Sequence, residues 1–107
     1  MRYEVVLAPQ AVENLRALTA RARAEVRDGI ERHLRQNPTR TSKSRIKRLR
    51  GMAQPQFRLR LGEIRVFYDV VEQTVQVLAI IGKEQASAWL EESGTPAPNR
   101  GAREDEG

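Results

Sequence analysis

The sequence predicts an α+β domain: one strand, two helices, three consecutive strands and a closing helix. Three observations lead there. Apolar residues recur at three- and four-residue spacing in the first third of the chain. From residue 57 to 81 they alternate with period two instead. Between these regions, and at the ends of the alternating runs, stand Asn37-Pro38, Gly51, Pro55 and Gly62, the residue types that punctuate structure. At 107 residues the chain suits one domain with a modest core.

The elements follow in order. "YEVVLA" (residues 3–8) is a β-rich run that stops at Pro9, and reads as a first strand. Proline has a fixed φ and no N–H to lose, so Pro9 suits the first turn of a helix that Val12, Leu15 and Leu18 continue. A second helical series is expected after residue 23, with Val26, Ile30 and Leu34 on one face. Gly29 weakens it and Asn37-Pro38 stops it. The two make a helical hairpin. Residues 39–56 are polar and basic, and read as a loop with room for a short strand or turn at 46–49. Strands are expected at 57–61, 64–70 and 74–81, joined at Gly62-Glu63 and Glu72-Gln73. A glycine first in a two-residue loop fits a type II′ turn. Residues 82–92 form a short helix. Residues 93–107 have almost no apolar content and are expected to be a disordered tail, which leaves 1–92 as the domain.

The Gly62-Glu63 turn sets a register. Leu61 then opposes Ile64, Arg60 opposes Arg65, Leu59 opposes Val66, Arg58 opposes Phe67 and Phe57 opposes Tyr68. Pairing Val71 with Thr74 places Tyr68 against Val77, Val66 against Ala79 and Ile64 against Ile81. Apolar side chains thereby gather on one face, where the helices can pack. Arg58, Arg60, Arg65 and Phe67 gather on the other. Like charges opposed across strands destabilise a sheet by a few tenths to about 1 kcal/mol. An anion between the guanidiniums reverses that sign, because guanidinium–phosphate forks are strong and directional. The competing expectation is that Glu63, Asp69 or a tail carboxylate neutralises the cluster.

Charge distribution favours the anion. Residues 40–65 carry nine basic side chains and one acid, Glu63, so this stretch holds +8 of formal charge in a chain whose total is +5. Such a footprint suits RNA, DNA or an acidic protein segment, or else a solvated basic loop. There is no cysteine, so disulfide frameworks and thiolate metal sites are excluded. No metal cluster, nucleophile triad or phosphate-cradling glycine loop is visible, and no cofactor is expected. The N-terminal apolar run is too short for a signal peptide or a spanning segment, which needs about 18 apolar residues. No membrane association and a cytoplasmic location are expected.

"KRLRGM" (residues 47–52), "FRLRLGEIRVFYDV" (57–70) and "VQVLAIIGK" (75–83), together with the helical hairpin, resemble the RelE/ParE superfamily of bacterial type II toxin–antitoxin toxins over residues 2–92. The resemblance implies two N-terminal helices packed on a twisted, mostly antiparallel sheet of about four strands. It implies a ribosome-dependent endoribonuclease (an mRNA interferase) that inhibits translation, with the substrate's 2′-hydroxyl as nucleophile. By position, Arg58 and Arg60 stand where RelE has lysines, Arg65 matches the family arginine of the next strand, and Lys83 follows the family glycine after the last one. These four are the expected catalytic residues. Lys43, Arg45, Lys47, Arg48, Arg50 and Phe67 are the expected RNA contacts. Partners implied are a cognate antitoxin, the ribosome with its mRNA, and operator DNA for the antitoxin complex. Two departures count against the reaction: Glu84 occupies the place of another catalytic arginine, and the C-terminal tyrosine has no counterpart, with Trp89 and Leu90 nearby. They favour the alternative, a ParE-like toxin that inhibits DNA gyrase without nuclease activity. A third possibility is an RNA-binding module with no reaction.

Three aromatic or titratable residues complete the reading. His33, the single histidine, is expected to be a surface residue near a helix end. Tyr68 is assigned to the core. Phe67 either stacks on a base or covers the sheet beside Leu78.

Overall fold

A computed structural model describes residues 2–98. The chain begins with β1 (Glu4–Leu7), α1 (Pro9–Ala17) and α2 (Ala20–Gly29), which continues into a π-helical turn at Ile30–Leu34. Next come β2 (Ile46–Arg48), β3 (Met52–Gln54), β4 (Phe57–Leu61), β5 (Ile64–Val71) and β6 (Thr74–Gly82). It ends with α3 (Lys83–Ser93) and β7 (Thr95–Pro96). The main sheet has five strands in the order β1-β6-β5-β4-β2, and β3 pairs with β7 in a separate ribbon. Only the β1–β6 pair is parallel in the main sheet. The sheet therefore has one strand more than expected. The addition is β2, a three-residue edge strand with two basic residues, at the place where the sequence leaves room for a short strand or turn, 46–49.

The helices form for local reasons. Pro9 occupies the first turn of α1. Thr19 accepts a hydrogen bond from Ala22 N and caps α2, so that helix starts at Ala20, earlier than the spacing of Val26, Ile30 and Leu34 indicates. Gly29 has a packing reason: a Cβ there would collide with the Leu61 side chain, so α2 lies directly against β4.

The β4–β5 register is the expected one at all five positions. Gly62 has a φ of 60°, as the tight turn requires. The β5–β6 register holds from Val71↔Thr74 to Tyr68↔Val77 and then shifts, because Leu78 is an extra residue on β6. Beyond it Val66 faces Ile80 and Ile64 faces Gly82, rather than Ala79 and Ile81. The bulge keeps Ile80 in the core. Past Val77, where the β1 pairing ends, Asn14 Oδ1 of α1 accepts Ile80 N at 3.0 Å.

The core lies between the helical layer and one sheet face. It comprises Ala11, Val26, Ile30 and Leu34 from the helices and Ile46, Phe57, Leu59, Val66, Tyr68, Val75, Val77 and Ile80 from the sheet. Tyr68 stacks on Phe57 with centroids 5.4 Å apart, and its hydroxyl donates to Pro38 O at 2.6 Å. Burial pushes its phenol pKa far up, so Tyr68 packs and anchors a loop. Helix α3 covers part of the opposite face, yet none of its residues is fully buried. The expected tail boundary at residue 92 falls inside α3, and Thr95–Pro96 beyond it is a strand. The rest of that expected tail, 99–107, lies outside the described residues. No helix among the described residues is long and apolar enough to cross a membrane.

Candidate functional site

Strand register builds the site. Arg60 and Arg65 are direct cross-strand partners, as are Arg58 and Phe67. On the other side of β4, Lys47 of β2 opposes Arg58. Residues paired across strands share a face, so Lys47, Arg58, Arg60 and Arg65 all stand on the surface away from the helical hairpin. Arg60 is exposed, whereas Arg58 and Arg65 are half-buried. Arg65 Nη1 donates to Gly62 O at 2.8 Å and Ile64 O at 3.1 Å, which folds this guanidinium back over the turn.

Neither Glu63 nor Asp69 neutralises the cluster, and the tail carboxylates also proposed for it lie outside the described residues. Glu63 pairs with Lys83, Nζ to Oε1 at 3.4 Å. Asp69 is buried and accepts from Gln54 Nε2 and Gln56 N, each at 2.7 Å. Among the described residues no carboxylate pairs with Arg58, Arg60 or Arg65. The pKa of Arg58 is lowered, first by burial and then by the neighbouring charges of Arg65 and Arg60. Its Nε is shielded from solvent and has no acceptor. A buried donor left unpaired costs about 1–3 kcal/mol. Among the described residues this donor is left without an acceptor.

The other expected site residues divide. Phe67 is 1% exposed and stacks on Trp89 of α3, centroids 5.0 Å apart at 16°. It covers the sheet and is closed to a base while α3 is in place, which corrects the base-stacking assignment. The Trp89 indole Nε1 is likewise buried without an acceptor. Arg48 turns to the other side of its strand, its guanidinium carbon 5.2 Å from the Phe57 ring centroid. Arg45 Nη1 donates to Arg60 O at the edge of β4. Lys43 and Arg50 are exposed loop residues that no strand carries. Lys83 opens α3 beside the β4–β5 turn, its N donating to Glu63 O. Glu84 lies in the first turn of α3, where an acid complements the helix dipole, and its carboxylate crowds Gly82.

Sequence reasoning missed two features. One is the pairing of Trp89 with Phe67, which decides between the two readings of Phe67. The other is the tie from Asp69 to Gln54 and Gln56, with Gln56 Oε1 accepting Val70 N. It fixes the segment that leads into β4. Nothing in the spacing of two glutamines and a distant aspartate announces it.

This surface offers guanidinium forks and an ammonium but no group that takes a proton near neutral pH. It can bind a phosphodiester and stabilise extra negative charge on it. No protein-family model and no curated protein matches the chain. Solved structures do. The free-state structure of an arginine-to-alanine double mutant of E. coli toxin RelE is similar at 25% identity and a TM-score of 0.65, covering 87% of this chain and 95% of that one. The toxin–antitoxin complex RelBE2 from Mycobacterium tuberculosis matches at 26% identity and 0.61, covering 77% and 99%. The archaeal RelE–RelB complex from Pyrococcus horikoshii OT3 matches at 26% and 0.58, covering 78% and 97%.

Proposed function

This chain belongs to the RelE superfamily of toxins, and we propose that it is the toxin of a type II toxin–antitoxin system that cleaves messenger RNA on the ribosome. The observation that carries this reading is the row of guanidiniums, Arg58, Arg60 and Arg65, on one sheet face, with no carboxylate partner and no acceptor for the buried Arg58 Nε among the described residues. In the reaction, the 2′-hydroxyl oxygen bonds to phosphorus and the 5′-oxygen leaves. The arginines and Lys83 hold the negative charge that accumulates on the phosphorane. Arginine does not exchange its proton near neutrality, so proton transfer falls to water or to ribosomal groups.

An antitoxin chain is the proposed regulatory partner, with operator DNA as the target of the complex. The relatives solved from M. tuberculosis and P. horikoshii are themselves toxin–antitoxin or RelE–RelB complexes. A groove of about 330 Å³ between β1, α1 and α2 is lined by Leu7, Val12 and Leu15 together with Arg16, Arg23 and Arg27. That combination suits an amphipathic segment with acidic residues.

The second reading, inhibition of DNA gyrase through protein contacts, is favoured by Glu84 and by the lack of an acid–base pair on the face. A translating extract and a gyrase supercoiling assay, run with the same purified protein, separate the two. Message cut within translated codons is the expected result. Intact message with blocked supercoiling establishes the alternative instead.

A further inference from the structure

His33, expected at the surface, has a defined surrounding in the fold. It sits in the π-helical turn at the end of α2, half-buried, above the loop that leads to β2. A cleft of about 280 Å³ opens there, lined among others by Arg32, His33, Arg40, Thr41, Ser42 and Arg45. An adjoining hollow of about 180 Å³ shares Arg32, His33 and Arg45 and reaches Gly62 at the β4–β5 turn. No acid lines the main cleft; Glu25 and Asp28 border only the adjoining one. Arg32 is paired with Asp28 at 3.2 Å, and no carboxylate among the described residues pairs with Arg40 or Arg45.

The cleft connects to the arginine face. Arg60 N donates to Arg45 O at 2.8 Å, and Arg45 Nη1 returns a bond to Arg60 O at 3.0 Å. Arg45 therefore bridges from the cleft to the strand that carries Arg58 and Arg60. We propose that this cleft is a second phosphate site, holding the backbone of the same RNA strand where it leaves the sheet face and crosses the edge strand β2. The proposal rests on the reading of that face as an RNA-binding surface.

The lining argues for nucleic acid over protein. Guanidiniums, a histidine and two hydroxyls are donors for phosphate oxygens. Ile46 is the sole aliphatic side chain in the lining, so an amphipathic peptide would find little to bury there. The apolar walls that such a peptide needs lie in the groove of Leu7, Val12 and Leu15.

His33 makes the site sensitive to pH. Its pKa is lowered, first by burial and then by Arg45 and Arg32, against an opposing pull from Asp28. It gains its charge only below the ordinary histidine range, and a bound phosphate favours that charge.

The test uses the full chain and a short fluorescently labelled oligouridylate, whose bases do not titrate in the range used. Binding is followed by anisotropy against salt and from about pH 7.5 to about 5.5. The wild type is expected to bind more tightly as pH falls, and His33→Gln to lose most of that gain. Arg40→Ala weakens binding several-fold and lowers the salt slope by about 0.7, one phosphate's worth on a single strand. Arg40→Glu, an exposed loop change that leaves packing untouched, weakens it further. Wild-type affinity and slope in both Arg40 variants, with binding lost in Arg65→Ala, overturns the cleft and leaves the sheet-face reading standing. Unchanged binding in Arg65→Ala overturns that reading as well. Displacement of the RNA by polyglutamate at concentrations where equal charge as chloride has no effect assigns the cleft to an acidic protein segment and also overturns the proposal.

Discussion

The two faces of the central sheet obey different rules, although the same strands build both. On the helix side every large side chain is packed, and the one buried hydroxyl, that of Tyr68, has its acceptor in Pro38 O. On the other side three guanidiniums crowd together, and Arg58 Nε and Trp89 Nε1 are buried without an acceptor among the described residues; the helical layer holds one such nitrogen, Arg23 Nε. That face is covered by a helix with no fully buried residue. The contrast teaches that one face holds the molecule together by packing, while the other gathers like charges at a cost in stability.

Adjacent residues on β4 give the sharpest break of that comparison. Leu59 is fully buried on the core face, and Leu59→Ala is expected to lower unfolding stability by about 2–5 kcal/mol. Arg60, its neighbour, points the other way. Arg60→Ala removes a like-charge opposition with Arg65 and should shift stability by less than about 1 kcal/mol, upward if at all. Urea denaturation of the two variants measures both. Equal destabilisation would erase the distinction between the faces.

Activity should show the reverse order. Arg65→Ala is expected to reduce RNA cleavage in a translating extract by about 100-fold or more, the loss typical of one charge-stabilising donor. Its denaturation midpoint should stay near that of the wild type, since among the described residues the guanidinium bonds only to carbonyls of its own turn. Full activity in a folded Arg65→Ala protein removes the cluster from the mechanism.

The cover over the face allows a smaller and more selective test. Trp89→Ala removes the stack on Phe67 and should cost about 1–3 kcal/mol, less than a fully buried tryptophan because Trp89 is only partly buried. Trp89→Phe keeps an aromatic ring and deletes the unpaired N–H, so it should be nearly neutral. Thermal melts followed by far-ultraviolet circular dichroism compare them. A large loss in Trp89→Phe would mean that the indole nitrogen has a partner after all.

The difference between the faces was legible in the sequence because side-chain period two sorts residues without knowledge of the rest of the fold. Once Gly62-Glu63 is taken as the turn, every β4–β5 pair follows, including Arg60 against Arg65. Legibility ended where tertiary contacts intervene. The bulge at Leu78 shifts the far half of β6 by one residue, and no local signal marks it. β2 is short and basic, so the sequence leaves 46–49 open between a strand and a turn, and the free edge of β4 decides for the strand. Phe67 was left open between a base and the sheet, since only the docking of α3 decides. Arg48 was grouped with its neighbours by charge, but alternation places it on Phe57's side. Charge identifies a basic segment; only the strand register says which of its members act together.

The smallest expected effect lies off the sheet, at His33, and extends the comparison to a third surface. Its folded pKa is lowered by burial, with Arg45 and Arg32 adding to the shift and Asp28 opposing it. The unfolded chain therefore binds this proton more readily than the folded one. The contribution to stability is complete above about pH 6.5, the unfolded value, and is lost as pH falls through the lower folded value. Thermal melts in low salt should show a modest fall in Tm across that window, and His33→Gln should flatten it. Salt weakens the Arg32 and Arg45 contributions but leaves the burial term, so the fall should shrink without vanishing as ionic strength rises. A Tm that rises on acidification through this window in the wild type, with no anion bound, would reverse the sign and show that Asp28 outweighs burial and both arginines.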